Sequence, residues 1–308
     1  MPKHKFRDLI DAHHTITILS HINPDTDAIG SSLGLYDMLK RYGKQVEIAN
    51  FSKDIPRYLD FLPNFSKIKN KIEYRDSLII ACDSSTIDIL GFDIDGRDII
   101  NIDHHQTNEY YGICNIVDRS ACATSQVIYS ELADEFEIGL DSATCLYTAL
   151  ISDTRHFTTN SVTQDTFTLA MQLMSLGVDH HEVSYNLTSR RSLASIRILS
   201  KALDGLELYR DGSISVVRID SDMIEQTGAK MSDMVGVVDI SHSLATVEIS
   251  IVLIVQDIKT KVSMRSKIDD ISYIAKDFDG GGHKHACGFS ISTTNLEEVL
   301  DKILKKLR

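Results

Sequence analysis

The stretch TITILSHINPDTDAIGSSLGLYDMLKRYG, residues 15–43, combines a strand pattern, a polar loop and a helix pattern. Residues 15–20 are mostly β-branched and apolar, which predicts a buried strand. The apolar periodicity from Ala28 to Tyr42 predicts a helix that Gly43 ends. A strand followed closely by a helix is typical of the repeating unit of parallel sheets.

The same alternation continues through the first half of the chain. Further strands are predicted at 45–49, 77–82 and 99–102, and further helices at 124–136, 142–151 and 164–176. We therefore predict an α/β domain with a mostly parallel sheet flanked by helices. Such sheets bind ligands beyond the carboxyl ends of their strands.

The second half of the chain has a different pattern. Strands are predicted at 213–220, 246–255, 260–265 and 286–291, and an amphipathic helix from Asn295 to the C-terminus. Residues 188–206 are helical in pattern and rich in Arg and Ser, as a helical linker would be. We predict a first domain at 1–187, this linker, and a smaller α+β domain at 207–308.

Composition limits the class of protein. The 308 residues allow roughly two domains. With 43% apolar and 25% charged residues, the chain is not disordered. The five cysteines form no CxxC pair, which favours free thiols in a reducing compartment. The sequence shows no signal-peptide core and no apolar run long enough for a bilayer, so we expect a cytoplasmic protein without a membrane partner.

The net charge also limits the partners. The chain has 44 acidic and 32 basic side chains, which give a net charge of −12. A protein that coats long nucleic acid needs a broad basic face, because most of its affinity comes from phosphate contacts. We therefore expect no long duplex partner, and a nucleic-acid ligand only if it is short and held in a local pocket.

Potential metal ligands follow several of the predicted elements. They are His21, Asp25, Asp27, Asp83, Asp103, His104, His105 and Asp153. Taken alone, the first three are equally compatible with an ordinary loop that contains a helix-capping aspartate. Several aspartates converging on one sheet edge would repel one another unless cations neutralised them.

Two divalent cations would balance the four charges of Asp25, Asp27, Asp83 and Asp153. Carboxylates mixed with one imidazole per metal suit Mn²⁺, whereas Mg²⁺ prefers all-oxygen shells and Zn²⁺ more often takes Cys or several His. Two such ions about 4 Å apart activate a bridging hydroxide and stabilise both oxygens of an in-line phosphoryl displacement. The sequence therefore predicts a two-metal hydrolase.

The motifs resemble those of a known family. HINPDTDAIGS (21–31), Asp83, the triplet DHH (103–105) and Asp153 resemble the four motifs of the DHH phosphoesterases. VSMRSK (262–267) and GGGHKHACG (280–288) resemble the DHH-associated C-terminal domain. The resemblance covers nearly the whole chain.

This resemblance implies roles for the candidate ligands. His21, Asp25 and Asp83 would bind one Mn²⁺. The other Mn²⁺ would be held by Asp27, Asp83, His104 and Asp153, so that Asp83 bridges the pair. Asp103 would orient a histidine or move a proton, unless it is only structural, and His105 would contact the scissile phosphate.

The second domain offers candidate substrate contacts. The backbone amides of Gly280, Gly281 and Gly282 can approach a phosphate closely, although a glycine turn before the next strand explains them equally well. We expect Arg265 and His283 to bind the terminal phosphate or nucleotide end of the substrate, since guanidinium groups pair well with phosphate. Ser266 is a weaker candidate.

Two positions depart from the family pattern. Thr26 stands between the two aspartates of the first motif, where the family commonly has glycine. Arg155 follows Asp153 and Thr154, where the family usually continues with glycine. We hypothesise that Arg155 contacts a substrate phosphate.

The resemblance implies an Mn²⁺-dependent hydrolase of short oligoribonucleotides, of 3′-phosphoadenosine 5′-phosphate (pAp), or of both. The sequence gives no direct evidence for the oligomeric state, although dimers are common among the proteins that it resembles, so a homodimer is one possible state. Three alternatives stay open: a phosphodiesterase of cyclic or linear dinucleotides, a manganese pyrophosphatase or exopolyphosphatase, and a nucleotide-binding sensor without turnover.

Overall fold

Six strands in the first half of the chain form one parallel sheet. They are β1 (Thr15–Ser20), β2 (Gln45–Ala49), β3 (Ile68–Lys69), β4 (Leu78–Cys82), β5 (Ile99–Asp103) and β6 (Cys114–Val117). In this computed structural model, residues 2–234, 236–268 and 270–307 are described, and the side chains of Pro2, Lys3 and His283 lie outside the description. The chain separates into two units, Met1–Arg190 and Arg191–Arg308.

The order of the strands in this sheet is β3-β2-β1-β4-β5-β6. The direction of winding therefore changes between β1 and β4, and such a switch point is where open α/β sheets bind ligands. The register pairs Ser20 with Cys82, and Cys82 with Ile102. The residues that follow these three in the chain, His21, Asp83 and Asp103, consequently stand side by side at the carboxyl edge.

Six helices accompany this sheet. They are α1 (Pro2–Ala12), α2 (Thr26–Arg41), α3 (Thr124–Leu132), α4 (Leu140–Asp153), α5 (Gln164–Ser175) and α6 (His180–Thr188). Helix α2 begins after Asp25, whose Oδ1 accepts a hydrogen bond from the Ala28 amide at 2.9 Å. Lys40 and Arg41 lie in its last turn, where cations interact favourably with the helix dipole.

Both faces of the first sheet are buried, which explains its near-continuous apolar strands. Ile18 and Ile80 belong to the larger core, which also contains buried residues of α2, α3 and α4. Leu19, Ile79 and Ala81 belong to a smaller core on the other side. Neighbouring residues of one strand thus contribute to different cores, as the alternation of strand side chains requires.

The second unit contains another six-stranded sheet. Its strands are β7 (Glu207–Tyr209), β8 (Ile214–Ile219), β9 (Ile249–Gln256), β10 (Lys259–Ser266), β11 (Gly281–His283) and β12 (Ala286–Ile291). Its helices are α7 (Leu193–Asp204), α8 (Ser221–Thr227), α9 (Val237–His242), α10 (Ser272–Lys276) and α11 (Leu296–Leu304). The strand order is β11-β12-β10-β9-β8-β7, with β8 and β9 parallel and the other pairs antiparallel.

The predicted α/β fold with a smaller second sheet is confirmed. The sequence did not predict β3, because it is only two residues long, so Asp83 follows the fourth strand rather than the third. The expected linker contains α7, whose buried Ile198 and Ala202 belong to a core of the second unit. The proposed division into a metal-binding and a substrate-binding domain stays a prediction. None of the described helices combines the length and apolarity that crossing a membrane requires.

Helices α2 and α4 approach closely because α2 has glycines at the contact. A Cβ on Gly30 would lie 2.7 Å from the Cys145 carbonyl oxygen and 2.9 Å from the Ala149 Cβ. At Gly34, a Cβ would lie 2.8 Å from the Leu146 side chain. The position of α2, and of the loop that precedes it, therefore depends on the absence of side chains at these two positions.

We expect Gly30→Ala to destabilise the protein. Alanine favours a helix over glycine by about 1 kcal/mol, but the contact with a backbone carbonyl should outweigh this gain and leave a net loss of about 1 to 3 kcal/mol. Urea unfolding measures the change. Gly205→Ala is the matched control, because its nearest contact would be 3.8 Å away. An unchanged midpoint for Gly30→Ala would contradict the close approach.

Candidate metal centre

The loop between β1 and α2 is held by residues that follow β2. Asn50 donates from Nδ2 to the His21 carbonyl oxygen at 2.9 Å and to the Ser20 hydroxyl at 2.9 Å. The Ser52 hydroxyl accepts from the Asn23 amide at 2.7 Å. These bonds fix the backbone on which His21 stands. Asp25 serves as the helix cap and as a member of the candidate centre, so both sequence interpretations of this aspartate apply.

Asp83 lies directly after β4 in a left-handed backbone conformation, with φ of 58°. Its amide donates to the Ile102 carbonyl oxygen at 2.9 Å, and its side chain is 1% exposed. The Thr124 hydroxyl donates to Asp83 Oδ1 at 2.7 Å. A non-glycine residue in this region costs free energy, and such residues are concentrated at functional sites.

Asp27 is buried in the first turn of α2. Its Oδ2 accepts from the Thr124 amide at 2.7 Å, and its Oδ1 accepts from the Ser125 amide at 3.3 Å and the Ser31 hydroxyl at 2.8 Å. The first amides of α3 thus stabilise a buried carboxylate, as helix N-termini favour. Thr124 holds two aspartates at once, through its amide and its hydroxyl.

Two histidines direct Nε2 toward these carboxylates. His104 Nε2 lies 3.7 Å from one oxygen each of Asp27, Asp83 and Asp153. His21 Nε2 lies 3.8 Å from Asp83 Oδ2. Each Nδ1 contacts a backbone carbonyl oxygen, that of Ala121 for His104 at 3.3 Å and that of Ile22 for His21 at 2.9 Å. These contacts favour a proton on Nδ1 and leave the Nε2 lone pair suited to a metal.

The structure brings together all six residues predicted to bind metal. The ligand atoms of His21, Asp25 and Asp83 lie within 4.8 Å of one another, as do those of Asp27, His104 and Asp153. Asp83 contacts members of both groups. These groups match the two sets that the resemblance implies, and the assignment of ligands stays a prediction.

The charges of this cluster favour a cation. Burial, together with the negative charge of Asp27, raises the pKa of Asp83 well above its usual range. Burial also raises the pKa of Asp27, and desolvation with repulsion from Asp27 raises that of Asp153 to about 7. Carboxylate oxygens and imidazole nitrogens are donors that divalent ions such as Mn²⁺ accept. The residues present therefore fit a divalent metal centre.

Asp103 and His105 form a pair beside this cluster. His105 Nδ1 donates to Asp103 Oδ1 at 2.7 Å, and Asn108 Nδ2 donates to Asp103 Oδ2 at 2.6 Å. Burial raises the pKa of Asp103, but the hydrogen bonds from His105 and Asn108 together with the charges of the histidines outweigh it, and the net pKa lies below the usual value. Burial would lower the pKa of His105, but in the metal-free protein Asp103 and the charge of Asp83 raise it to about 10. The hydrogen bond to Asp103 gives the His105 ring a fixed orientation.

His105 also belongs to a third group of potential ligands, with Asp83 and His104. Its Nδ1 lies 3.6 Å from Asp83 Oδ1 but only 2.7 Å from Asp103 Oδ1. The shorter contact engages this nitrogen with Asp103, which agrees better with a substrate-contacting role than with metal binding.

Sequence reasoning did not identify Thr124 and Asn108, which orient these aspartates. Thr124 stands at the start of a helix, where a hydroxyl residue is too common to signal a site. Asn108 lies in the loop three residues after the DHH triplet, and an asparagine in a loop does not by itself indicate a site. Both act through hydrogen bonds that only the folded chain creates.

Arg155 lies directly after α4 in a left-handed turn. Arg155, His156 and Phe157 have φ values of 45°, 56° and 63°. Glycine adopts this region without strain, which gives a physical reason for the usual glycine at position 155. Arg155 is exposed and two residues from Asp153. Its contact with a substrate phosphate stays a prediction.

The candidate substrate residues of the second unit lie on β10 and on or just before β11, the two strands that flank β12. Arg265 on β10 and position 283 on β11 both pair with Ala286 of β12. Arg265 Nε donates to Asp239 Oδ1 at 3.1 Å, so an anion would compete with this carboxylate. Ser266 is buried, with its hydroxyl accepting from the Ile268 amide at 3.3 Å. The side chain of His283 lies outside the described residues.

Two of the three glycines have a structural reason independent of any ligand. A Cβ on Gly280 would overlap the Gly288 carbonyl oxygen, and one on Gly282 would overlap that of Ala286. Gly282 also has φ of 133°. Gly281 has open space at its Cβ position. Close packing of β11 on β12 therefore accounts for Gly280 and Gly282, and Gly281 is the one without such a constraint.

We expect Thr124→Val to weaken metal binding about 10- to 100-fold, because residues that orient ligands typically contribute this much. Valine keeps the shape and the backbone amide but removes the hydroxyl that binds Asp83. Calorimetric titration with Mn²⁺ measures the affinity, and Thr124→Ser should restore it. Thr148→Val is the control, since the Thr148 hydroxyl bonds only to the Thr144 carbonyl within its own helix. Wild-type affinity in Thr124→Val would contradict the role.

The metal-free protein should lose stability as pH rises. A carboxylate whose folded pKa is raised, such as Asp153 at about 7, binds more protons when folded, so unfolding becomes easier as pH increases through this range. His105, raised from 6.5 to about 10, acts in the same direction at higher pH. Bound divalent cations would stabilise the ionised carboxylates. The melting temperature in chelator should therefore fall between about pH 5 and 9.

The increase in melting temperature on adding Mn²⁺ should accordingly be larger at about pH 8 than at about pH 6, because protons compete with the cation. Thermal unfolding with chelator and with Mn²⁺ at both pH values measures it. An equal or smaller increase at the higher pH would show that these carboxylates do not bind the cation.

Comparison with known proteins matches each half of the chain to a known domain family. The DHH family, N-terminal domain, matches residues 15–151, and the DHHA1 domain matches residues 211–308. A bifunctional oligoribonuclease and PAP phosphatase NrnA from Thermus thermophilus is 31% identical over 301 residues, which cover 95% of this chain and 89% of that protein. The protein of the same name from Bacillus subtilis is 27% identical, over 97% of this chain and 95% of its own length.

A solved structure has the same fold. The crystal structure of an exopolyphosphatase-related protein from Bacteroides fragilis superposes with a TM-score of 0.85 at 25% identity, over 99% of this chain and 96% of that chain. The DHH match includes every candidate ligand of the cluster except Asp153, and the DHHA1 match includes the glycine-rich strand β11 of the second unit. The chain belongs to the DHH family of phosphoesterase hydrolases, with an N-terminal DHH domain and a C-terminal DHHA1 domain.

Proposed function

We propose that this phosphoesterase hydrolyses short oligoribonucleotides to mononucleotides and pAp to AMP and phosphate, with Mn²⁺ as its cation. The observation that carries the proposal is the match to proteins named NrnA in two organisms over 95% and 97% of this chain. A third protein, named a probable NrnA, from Streptococcus mutans, matches over 97% of it. Both domains of the architecture therefore take part in the similarity.

The donor set supports the choice of cation. Asp25, Asp27, Asp83 and Asp153 with one imidazole for each metal form the mixed oxygen and nitrogen shell that suits Mn²⁺. When bound, two such cations would stabilise the negative charge that develops on the phosphoryl oxygens and would favour the ionisation of water.

The pair of Asp103 and His105 supports a role in handling the phosphate. Because Nδ1 of His105 donates to Asp103, the ring has a fixed orientation, and Nε2 would donate to a phosphoryl oxygen. In the metal-free protein, Asp103 and the charge of Asp83 raise the pKa of the ring to about 10, which favours its protonated form. Asn108 keeps Asp103 in place by its 2.6 Å hydrogen bond. The pair would thus bind the anionic substrate and supply a proton to the leaving oxygen.

The second unit would bind the remote end of the substrate. Arg265 can form two parallel hydrogen bonds to a phosphate, and the amide of Gly281 can be approached without a side chain in the way. The net charge of −12 also favours short ligands over long nucleic acid, because it limits the number of phosphates that the surface can attract.

Product release from a panel of substrates tests the proposal. With Mn²⁺, the purified protein should turn over pAp and a 5′-phosphorylated dinucleotide, and act weakly on long RNA, cyclic dinucleotides, pyrophosphate and polyphosphate. Asp83→Asn should lower turnover at least about 100-fold, because it removes the carboxylate shared by both metal groups. Thr148→Val serves as a folded control.

Other outcomes of the same panel would reject the proposal. Turnover of pyrophosphate or polyphosphate alone would indicate that the second unit does not select nucleotides. A preference for cyclic dinucleotides would identify a different phosphodiesterase. Wild-type turnover by Asp83→Asn would exclude the proposed metal ligands.

A further inference from the structure

An exposed aromatic ring lies in the loop that follows the DHH triplet. Tyr110 is 48% exposed, and the Arg119 guanidinium lies over its ring, 5.1 Å from the ring centroid. Tyr110 is in the loop after β5, and Arg119 comes two residues after β6. Because β5 and β6 are neighbouring parallel strands, this Tyr110–Arg119 ledge lies at the carboxyl edge of the first sheet, where the candidate metal centre also lies.

The loop that carries Tyr110 is bonded to the residues that follow β4. The Tyr111 hydroxyl donates to the Ser84 carbonyl oxygen at 3.0 Å, and the Glu109 amide donates to the Ser85 carbonyl oxygen at 2.9 Å. These bonds hold the residues on both sides of Tyr110. The ring is therefore fixed beside the segment that carries the carboxylate shared by the two metal groups.

Arg119 is bonded to the same loop. Its Nη2 donates to the Asn108 carbonyl oxygen at 3.0 Å, and its own carbonyl oxygen accepts from the Gln106 side chain at 2.5 Å. The side chain of Asn108 in turn donates to Asp103, the partner of His105. Hydrogen bonds thus connect the ledge to the pair that we expect to contact the scissile phosphate.

The backbone of Tyr110 is in the left-handed region, with φ of 56°. Its amide donates to Asn108 Oδ1 at 2.8 Å, which holds this conformation. A non-glycine residue in this region costs free energy, and such residues are concentrated at functional sites. Since nearly half of the ring is exposed, burial in the core offsets little of this cost, whereas a ligand stacked on the ring would offset more.

The two proposed substrates differ on only one side of the reacting phosphate. Hydrolysis of pAp to AMP breaks the bond between the 3′ oxygen and phosphorus, and hydrolysis of a 5′-phosphorylated dinucleotide to 5′-mononucleotides breaks the same kind of bond. In both reactions the hydroxide of water joins phosphorus and the 3′ oxygen takes the proton. The nucleotide with this 3′ oxygen is common to both substrates, and it is the end that the second unit would bind. The dinucleotide has, in addition, a second nucleoside on the far side of the phosphate.

The chemistry of the ledge suits an uncharged nucleoside. A base offers a flat π face, which stacks well on an aromatic ring that a guanidinium also contacts. The exposed carboxylates of Glu109 and Asp118 directly precede the two members of the ledge in the chain, and they would repel a further phosphate.

We propose that the Tyr110–Arg119 ledge binds the nucleoside on the far side of the scissile phosphate, with its base stacked on the Tyr110 ring. This inference rests on the proposed function and names the contact that an oligoribonucleotide makes and pAp lacks. The ledge therefore increases the preference for dinucleotides, while the metal centre and the second unit serve both substrates.

Steady-state kinetics with Mn²⁺ on 5′-phosphorylated diadenylate and on pAp test the proposal. Tyr110→Ala should lower the ratio of kcat/KM for the dinucleotide to that for pAp by about 5- to 100-fold, the effect expected for one lost base–aromatic contact. Tyr110→Phe keeps the ring and should retain the wild-type ratio. Arg119→Gln, which removes the cation over the ring, should lower the ratio in the same direction. Tyr185→Ala is the matched control, because Tyr185 is 54% exposed on α6 of the same unit.

The two substrates separate this inference from the proposed function. If the wild type hydrolyses both and Tyr110→Ala leaves the ratio unchanged, the inference is overturned and the function stands. An equal loss for both substrates has the same meaning, because it shows that Tyr110 only stabilises the loop. Turnover of neither substrate by the wild type would reject the proposed function and, with it, the inference.

Discussion

The burial of two neighbouring carboxylates, Asp27 and Asp83, is the constraint on which the first unit depends. Both are at most 2% exposed, the charge of Asp27 helps to raise the pKa of Asp83, and both carboxylates accept hydrogen bonds from Thr124. Such a pair is stable only if donors and cations surround it. The chain supplies the donors through the beginning of α3, where Thr124 binds both. Helix α2 brings Asp27 to this position because its glycines allow α2 to approach α4 closely.

Much of this arrangement could be predicted from the sequence. Apolar strand patterns that are followed directly by Asp or His predict the parallel sheet and also the residues at its edge. The carboxyl ends of parallel strands lie at the same edge, so the residues that follow them lie close together. Residues whose role depends on one hydrogen bond could not be predicted in this way. Thr124 and Asn108 have no periodic pattern and become significant only through Asp83 and Asp103. Strand β3 was missed because two residues carry too little periodicity.

The glycines of the second unit show a different limit of sequence reasoning. GGGH resembles a phosphate-binding loop, yet Gly280 and Gly282 are required by the close approach of β11 to β12. The same run of glycines can thus be required by close packing and can also allow a ligand to approach. Only the structure shows which of these two reasons applies at each position. A cavity beside β2 and β3 that several cations line shows the reverse case. Lys53, Arg57, Lys69 and Lys71 are scattered through a segment without a motif, and the fold of the chain around β2 and β3 gathers them.

The candidate ligands come from four separate segments, between His21 and Asp153. During synthesis, the group of His21, Asp25 and Asp83 is complete once residue 83 has been added, whereas the group of Asp27, His104 and Asp153 requires the chain through residue 153. The last strand of the parallel sheet, β6, lies between these two points in the chain, and such a sheet folds slowly because its contacts are distant in sequence. A chain truncated before α4 would therefore keep the first group but lack a member of the second, so that metal binding at the second group would mark completion of α4.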